Sequence, residues 1–448
     1  HIGVARDLAA YLRSRGEQVE VKWPDVSAFA PDNHNLEMRI RVENTEAAPR
    51  YAGVTVTGCK IGPSPEWMQN CLRAAGINPK NNLVDITNFV LFELGQPLHA
   101  FDASKIEGHE IVVRTCAEGT PFVTLDGVER KLTANDLMIC SAERPMCIAG
   151  VFGGLDSGIS ETTTDVFIES AYFNPVWVRK TAKRFGLNTD SSFRFERGVD
   201  PNLQIYAAKR AALLMKELAG GTISSDITDI CPVPARDFTF DVSFARINAL
   251  IGKELPEETV RTILDALEVK ILAEHDGVMT VAVPPYRVDV QREADLIEDI
   301  LRIYGYNNVE IPARVRSTLS YAPKSDRNRL VNLAADFLTD RGFTEIMSNS
   351  LTKRAYYEGL TSYPAEHCVR ILNPLSTDLN VLRQTLLFNM MEAIQLNVNR
   401  KNGDLKLYEF GNCYFYDESK RTEENRLAAY SASRRWPPTR RVTAWRWP

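Results

Sequence analysis

Apolar positions along the chain follow two different periods, and the switches between them mark out elements. Between residues 256 and 269, Val260, Ile263, Leu264 and Leu267 recur at i, i+3, i+4 and i+7, the stripe of an amphipathic helix. Just upstream, Phe238, Phe240, Val242 and Phe244 alternate, as a half-buried strand does. With a strand over Val278–Val283 and a helix over Glu293–Tyr304, this stretch predicts a small α+β module. Pro232-Val233-Pro234 precedes it, and a proline-containing linker over 312–326 follows. Nearer the start, 1–15 reads as a helix closed by Gly16, 36–42 and 53–58 as strands, and 64–75 as a helix with Ser64 as cap and Pro65 at its first position. Helices are also expected at 84–94, ahead of the breaker Gly95-Gln96-Pro97, at Pro175–Phe185, and at 202–218 before Gly220-Gly221. Strands and turns dominate 111–168. Beyond the second linker, 327–341 is an amphipathic helix, 377–399 mostly helix and 404–415 a strand. The last residues, 431–448, hold five arginines, three of the six tryptophans and no acid, with no period of either kind. They are expected to be an atypical, disordered tail rather than a basic-aromatic RNA arm.

Length changes the picture from one core to several. At 448 residues, three or so domains are expected. A net charge of −5 argues against a broad basic surface that holds nucleic acid by charge alone, though not against a local basic groove. Eight cysteines are scattered without CxxC or Cys/His zinc spacing, which fits a reducing, cytoplasmic setting. No apolar run reaches membrane-spanning length. Because the chain opens at His1 inside a helix, it is read as a fragment of a longer protein.

One helix carries candidate chemistry. On a wheel, Ile297, Ile300, Leu301 and Tyr304 fall on one side of Glu293–Tyr304, and Asp295, Glu298 and Asp299 on the other, with Asp289 just ahead. Like charges at those spacings repel by roughly a few tenths of a kcal/mol each. Hard carboxylate oxygens suit magnesium. The same spacing suits a solvated acidic face, with acids favoured in a helix's first turn and Arg302 placed to pair with Glu298.

The string from Pro284 to Tyr306, with Arg287-Val-Asp289, Asp295-Leu-Ile-Glu-Asp299 and Arg302-Ile-Tyr-Gly-Tyr306, closely resembles the small module of the bacterial phenylalanyl-tRNA synthetase β-subunit family. The resemblance covers nearly everything from residue 1 to about 427. Thr87-Asn88-Phe89 with Gly95-Gln-Pro-Leu-His99-Ala-Phe-Asp102, Glu169-Ser-Ala171, and Thr189-Asp-Ser-Ser-Phe-Arg-Phe-Glu-Arg-Gly198 are similar to its editing-domain signatures. Asn373-Pro-Leu-Ser376, Leu382-Arg-Gln-Thr-Leu-Leu387 and Leu407-Tyr-Glu-Phe-Gly411 resemble its catalytic-like domain.

The resemblance implies a multidomain α+β protein. It implies a remnant of a preceding domain over 1–35, a tRNA-editing domain over 36–230, the magnesium module over 236–312, and a degenerate, inactive class II synthetase-like antiparallel domain over 326–430. An N-terminal tRNA-binding segment and a C-terminal anticodon-binding domain of the family would lie outside the chain. Asp289, Asp295, Glu298 and Asp299 would hold magnesium at a site shared with the α subunit; Asp299 stands where the family usually has Glu. In the editing domain, Glu169 would accept the hydroxyl that distinguishes tyrosine from phenylalanine. His99, with Thr87 and Asn88, would lie near the ester, and Thr189 and Ser191 would shape the amino-acid side. His99, Glu169 and Thr189 are the catalytic candidates; Thr87, Asn88 and Ser191 are the binding ones. The need for such a site is physical: an apolar pocket rejects an added hydroxyl by only ~10², whereas a site that hydrogen-bonds it discriminates by ~10⁴–10⁵. No Ser-His-Asp constellation is evident, and Arg383 is read as structural. The implied function is a ligase subunit. In a tetramer of two α and two β subunits, α would charge tRNA(Phe) with ATP while this chain clears tyrosyl-tRNA(Phe). A free-standing editing hydrolase and a non-catalytic RNA-binding or assembly protein are the alternatives.

Overall fold

The computed structural model describes residues 1–314, 317–318, 326–417, 419–432 and 441–446. They fall into two compact units, His1–Ala313 and Arg314–Pro448. Both contain helices and sheets, and several separate cores, so the mixed α/β, multidomain expectation holds.

In the first unit, one sheet runs Arg39–Val42, Glu110–Thr115, Leu137–Cys140, Pro145–Ile148, Phe152–Gly153; its first pair is parallel and the rest antiparallel. A second, antiparallel sheet runs Thr222–Ile223, Arg50–Thr57, Val166–Tyr172, Leu98–Asp102. Alternation gives this second sheet two apolar faces. Val54, Val56, Ala100, Val166 and Ile168 pack with Ile86 and Val90 of helix Asn82–Leu94 and with Ala207, Ala211 and Met215 of helix Gln204–Ala219. One residue out of step, Tyr51, Phe101, Phe167 and Ala171 pack with Ile111, Val113 and Ile139 of the first sheet. The second sheet is thus a middle layer, helices on one face and a sheet on the other. Gly53 sits where any Cβ would run into the Phe167 ring, so a side chain there would push the layers apart.

A third core joins the antiparallel sheet Phe238–Ser243, Val278–Val283, Lys270–His275 to helices Phe244–Ile251, Glu257–Ala266 and Glu293–Tyr304. Ala10, on helix Ile2–Arg13, is buried in it, so the segment expected to be the remnant of another domain packs here. In the second unit, Thr344–Glu345 pairs in parallel with Leu405–Asp417, which forms a long antiparallel hairpin with Lys420–Ala432. Met390 and Ile394 of helix Leu387–Asn399 cover it.

Several boundaries differ from expectation. Ser64 does not cap the helix that begins at Glu66; its hydroxyl donates to Asp85 instead. Of 377–399, only Leu387–Asn399 is α-helix, after a short 3-10 turn at Thr377–Leu379. Part of the tail expected to be disordered is strand: Arg441–Arg446 pairs antiparallel with residues 426–431. Backbone pairing against an open strand edge needs no apolar alternation, which is why period alone missed it. Residues 433–440 and 447–448 lie outside the described residues. Among the described residues no helix is long and apolar enough to cross a membrane.

Candidate active site

Strand register brings the first two site residues together. Antiparallel pairing sets Glu169 directly opposite His99 on one neighbouring strand and opposite Gly53 on the other. Side chains so paired have Cβ atoms about 4.5–5.5 Å apart. Both are in step with Phe101 and Phe167, on the face toward the first sheet. Glu169 is therefore not a strand-end acid; it lies in the middle of Val166–Tyr172. Beside the pair is a cavity of about 400 Å³. Thr87 and Asn88 line it from helix Asn82–Leu94, and Thr189 and Ser191 from the start of the short helix Asp190–Phe195. All six residues expected around a pocket, scattered over a hundred positions, line this one cavity.

The two central groups are both held neutral. Glu169 is 5% exposed, and burial pushes its carboxyl up to about 8, against a smaller downward pull from the Tyr51 hydroxyl, which donates to Oε2 at 3.1 Å. Burial pushes the His99 imidazole down to about 4, and its buried Nε2 has no hydrogen-bond partner among the described residues. The ring meets Phe101 edge-on, centroids 4.4 Å apart. A Cβ at Gly153 would lie 3.3 Å from His99 Cε1 and 2.9 Å from Leu125, so glycine keeps this wall back. The Cys147 thiol, also on the lining, is raised by burial and by Glu169, which keeps it protonated and inert.

The hydroxyls play a different part. Thr189 Oγ1 caps its helix by accepting the Ser192 N–H at 3.0 Å and donates to the Val151 carbonyl at 2.9 Å. Ser192 Oγ reciprocates on the Thr189 N–H, completing a capping box. With both its donor and an acceptor position committed, Thr189 holds the start of the helix that brings Ser191 to the lining. Thr87 Oγ1 likewise donates to its own helix, to Val84 O at 2.8 Å. Sequence reasoning missed Tyr51 and Cys147. Tyr51 lies 118 positions before its partner, and only the strand register connects them.

Residues 47–220 match the B3/4 domain, 240–306 the tRNA synthetase B5 domain, and 311–444 the phenylalanyl tRNA synthetase beta chain CLM domain. The chain is 60% identical over 432 residues to the phenylalanine–tRNA ligase beta subunit of Bacteroides fragilis (strain YCH46), covering 96% of this chain and 53% of that one. To the corresponding subunit of Porphyromonas gingivalis it is 51% identical over 433 residues, with coverages of 96% and 53%. The chain belongs to the phenylalanyl-tRNA synthetase β-subunit family. It spans about half the length of the curated relatives it matches. A solved N-terminal fragment of the phenylalanyl-tRNA synthetase beta-subunit from Pyrococcus horikoshii aligns with 66% of this chain and 80% of its own at 15% identity, with a TM-score of 0.31, too low to bear on the fold.

In the B5 region of this family member, the four acids do not converge. Asp299 is buried rather than solvent-facing, and both its oxygens are taken: Arg287 donates to Oδ2, and Arg302 Nε and Nη2 donate to Oδ1 at 3.1 and 3.0 Å. Arg302 therefore pairs with Asp299, not with Glu298. Asp295 accepts from Arg292 at 3.1 Å and from the Gln291 N–H at 3.3 Å, while Asp289 and Glu298 are exposed. Among the described residues no group of three or more His, Cys, Asp or Glu is arranged to hold a metal ion. The wheel erred because it assumed that only apolar side chains are buried, and two guanidinium groups make burial of this carboxylate tolerable. As a four-carboxylate magnesium site, the set does not fit. In the CLM region, Arg383 is also buried and pairs with Glu409 at 2.7 Å, with a further bond to the Asn412 carbonyl at 3.0 Å. Its donors face protein acceptors, as a structural arginine's do.

Proposed function

We propose that this chain carries the editing site of a phenylalanyl-tRNA synthetase, hydrolysing tyrosine mischarged onto tRNA(Phe). The observation that supports this most is the buried carboxyl of Glu169, able to hydrogen-bond a phenol, beside the unpartnered Nε2 of His99 in one cavity. The tyrosine side chain enters with its phenol on Glu169; phenylalanine leaves that buried oxygen without a partner, at a cost of about 1–3 kcal/mol. His99, neutral at pH 7, accepts a hydrogen bond from the attacking water and orients it. The water oxygen bonds to the ester carbonyl carbon, the carbon–ribose oxygen bond breaks, and the departing ribose oxygen takes the proton that the water gives up. An aminoacyl ester is already activated, so a positioned water suffices without a nucleophilic side chain.

The ATP- and magnesium-dependent charging of tRNA(Phe) is assigned to an α partner, in a tetramer of two α and two β subunits. The class II-like second unit serves as scaffold; the buried Arg383–Glu409 pair supports that role. No step of the proposed hydrolysis passes through a metal. The test is deacylation of tyrosyl- and phenylalanyl-tRNA(Phe) by the complete β subunit with α. Selective loss of tyrosine, abolished in Glu169→Ala, is expected. Equal release of both amino acids, or an unchanged Glu169→Ala rate, sinks the reading.

A further inference from the structure

We infer that Tyr51 is the residue that makes Glu169 selective: it holds Oε2 from behind, so that Oε1 alone is offered to the phenol of the substrate. The inference rests on the editing reading above. Tyr51 is fully buried and is not part of the cavity lining, so it acts through Glu169 and not on the ligand. Its hydroxyl has one proton, and that proton is given to Oε2 at 3.1 Å. No hydrogen bond from a described residue reaches Oε1.

Three features fix the donor. Tyr51 and Glu169 share the face of the middle sheet that packs on the first sheet, and Tyr51 sits opposite Ala171, one inward-facing position along from Glu169. The Tyr51 ring lies beside that of Phe173, centroids 6.4 Å apart and the planes tilted by 55°. Gly53, directly opposite Glu169, places no side chain between them. A carboxyl with two equivalent free oxygens can swing about its last torsion, a broad and soft one. One that is pinned at Oε2 meets every ligand in the same orientation, which is what discrimination by a single hydrogen bond demands. The same bond favours the carboxylate form, opposing the upward push of burial. Tyr51 therefore sets the direction in which the carboxyl faces the ligand, and it offsets part of the upward push of burial on that carboxyl.

The experiment measures deacylation of tyrosyl- and phenylalanyl-tRNA(Phe) by the complete α–β enzyme across pH 6–9 for wild type, Tyr51→Phe, Glu169→Gln and the double variant. Tyr51→Phe removes one oxygen and keeps the ring. It is expected to lower the tyrosine-over-phenylalanine ratio roughly 5- to 10-fold, the worth of one buried hydrogen bond, through the half-saturation concentration for tyrosyl-tRNA more than through kcat. It also moves the pH midpoint of that ratio upward. In the Glu169→Gln background, Tyr51→Phe costs no further selectivity. Difluorotyrosine at position 51, a more acidic donor of nearly the same shape, moves the midpoint downward and keeps the test available should Tyr51→Phe fold poorly. An unchanged ratio and midpoint in both variants, or equal losses for the two esters, overturns the role of Tyr51 while a selective wild type keeps the editing reading. A wild type that does not prefer tyrosyl-tRNA overturns both.

Discussion

A carboxyl and an imidazole that are both neutral at pH 7 make a pocket suited to an uncharged phenol and an ester, and they also leave a mark on stability. Glu169 keeps its proton up to about pH 8 in the fold, against 4.5 ordinarily. Between those values the native state holds one more proton than the unfolded chain, so stability falls as pH rises, by about 1.4 kcal/mol per pH unit. His99 works in the other direction. It is neutral in the fold down to about pH 4, against 6.5 ordinarily, so its contribution is lost as pH falls through that window. From 4.5 to 6.5 the two slopes oppose each other; from 6.5 to 8 Glu169 acts alone. Glu169→Gln should therefore gain on the wild type as pH rises from 6.5 to 8 in urea titrations, and a constant difference between the two proteins would count against a buried, protonated Glu169. At this scale the sequence was legible where chemistry sat inside a recognisable string, as with His99 and Glu169. It was silent on Tyr51, because a donor supplied by a distant strand carries no local pattern.

Elements with strong end signals were read to the residue. Pro175–Phe185 begins after Asn174, whose side chain accepts the Val176 N–H, and stops at Gly186 in the left-handed conformation. The helix Asp190–Phe195 was missed, since six residues hold too little periodicity to register. Yet its capping box sets the wall of the pocket, and this gives a prediction. Thr189→Val removes the acceptor for the Ser192 N–H and the donor to Val151 O. A loss of about 1–2 kcal/mol in chemical denaturation is expected, together with slower release of tyrosine as Ser191 loses its position. Thr189→Ser keeps both bonds and should restore both properties. If Thr189→Val slowed deacylation with no loss of stability, a direct chemical role would replace the positioning one.

At the scale of the whole first unit, charge and packing act together, and a carboxylate read as a metal ligand turns out to sit in an ion-pair network that reaches a second helix through Arg302. Asp299 binds Arg287, which follows the strand Val278–Val283, and Arg302, one turn along its own helix; Arg302 Nη2 also donates to Asp7 of the N-terminal helix at 3.1 Å. The side chains of Arg287 and Asp299 are nearly buried, whereas Arg302 is about a third exposed. Removing the shared anion strands a nearly buried guanidinium, and breaking a buried pair costs about 3–5 kcal/mol. Solvent screening at Arg302 lowers the expectation for Asp299→Asn to about 2–4 kcal/mol. Magnesium separates this account from the four-carboxylate one. An ion bound only by the folded chain stabilises it by about 2.7 kcal/mol at a hundredfold excess over its Kd, a rise of several degrees in melting temperature. With both oxygens of Asp299 already engaged, millimolar magnesium chloride should leave the melting temperature of the isolated chain unchanged, and Asp299→Asn should be destabilised equally with and without it. A magnesium-dependent rise in the wild type that vanishes in Asp299→Asn would show that the arginines yield to the metal, and that the acidic face is a site after all.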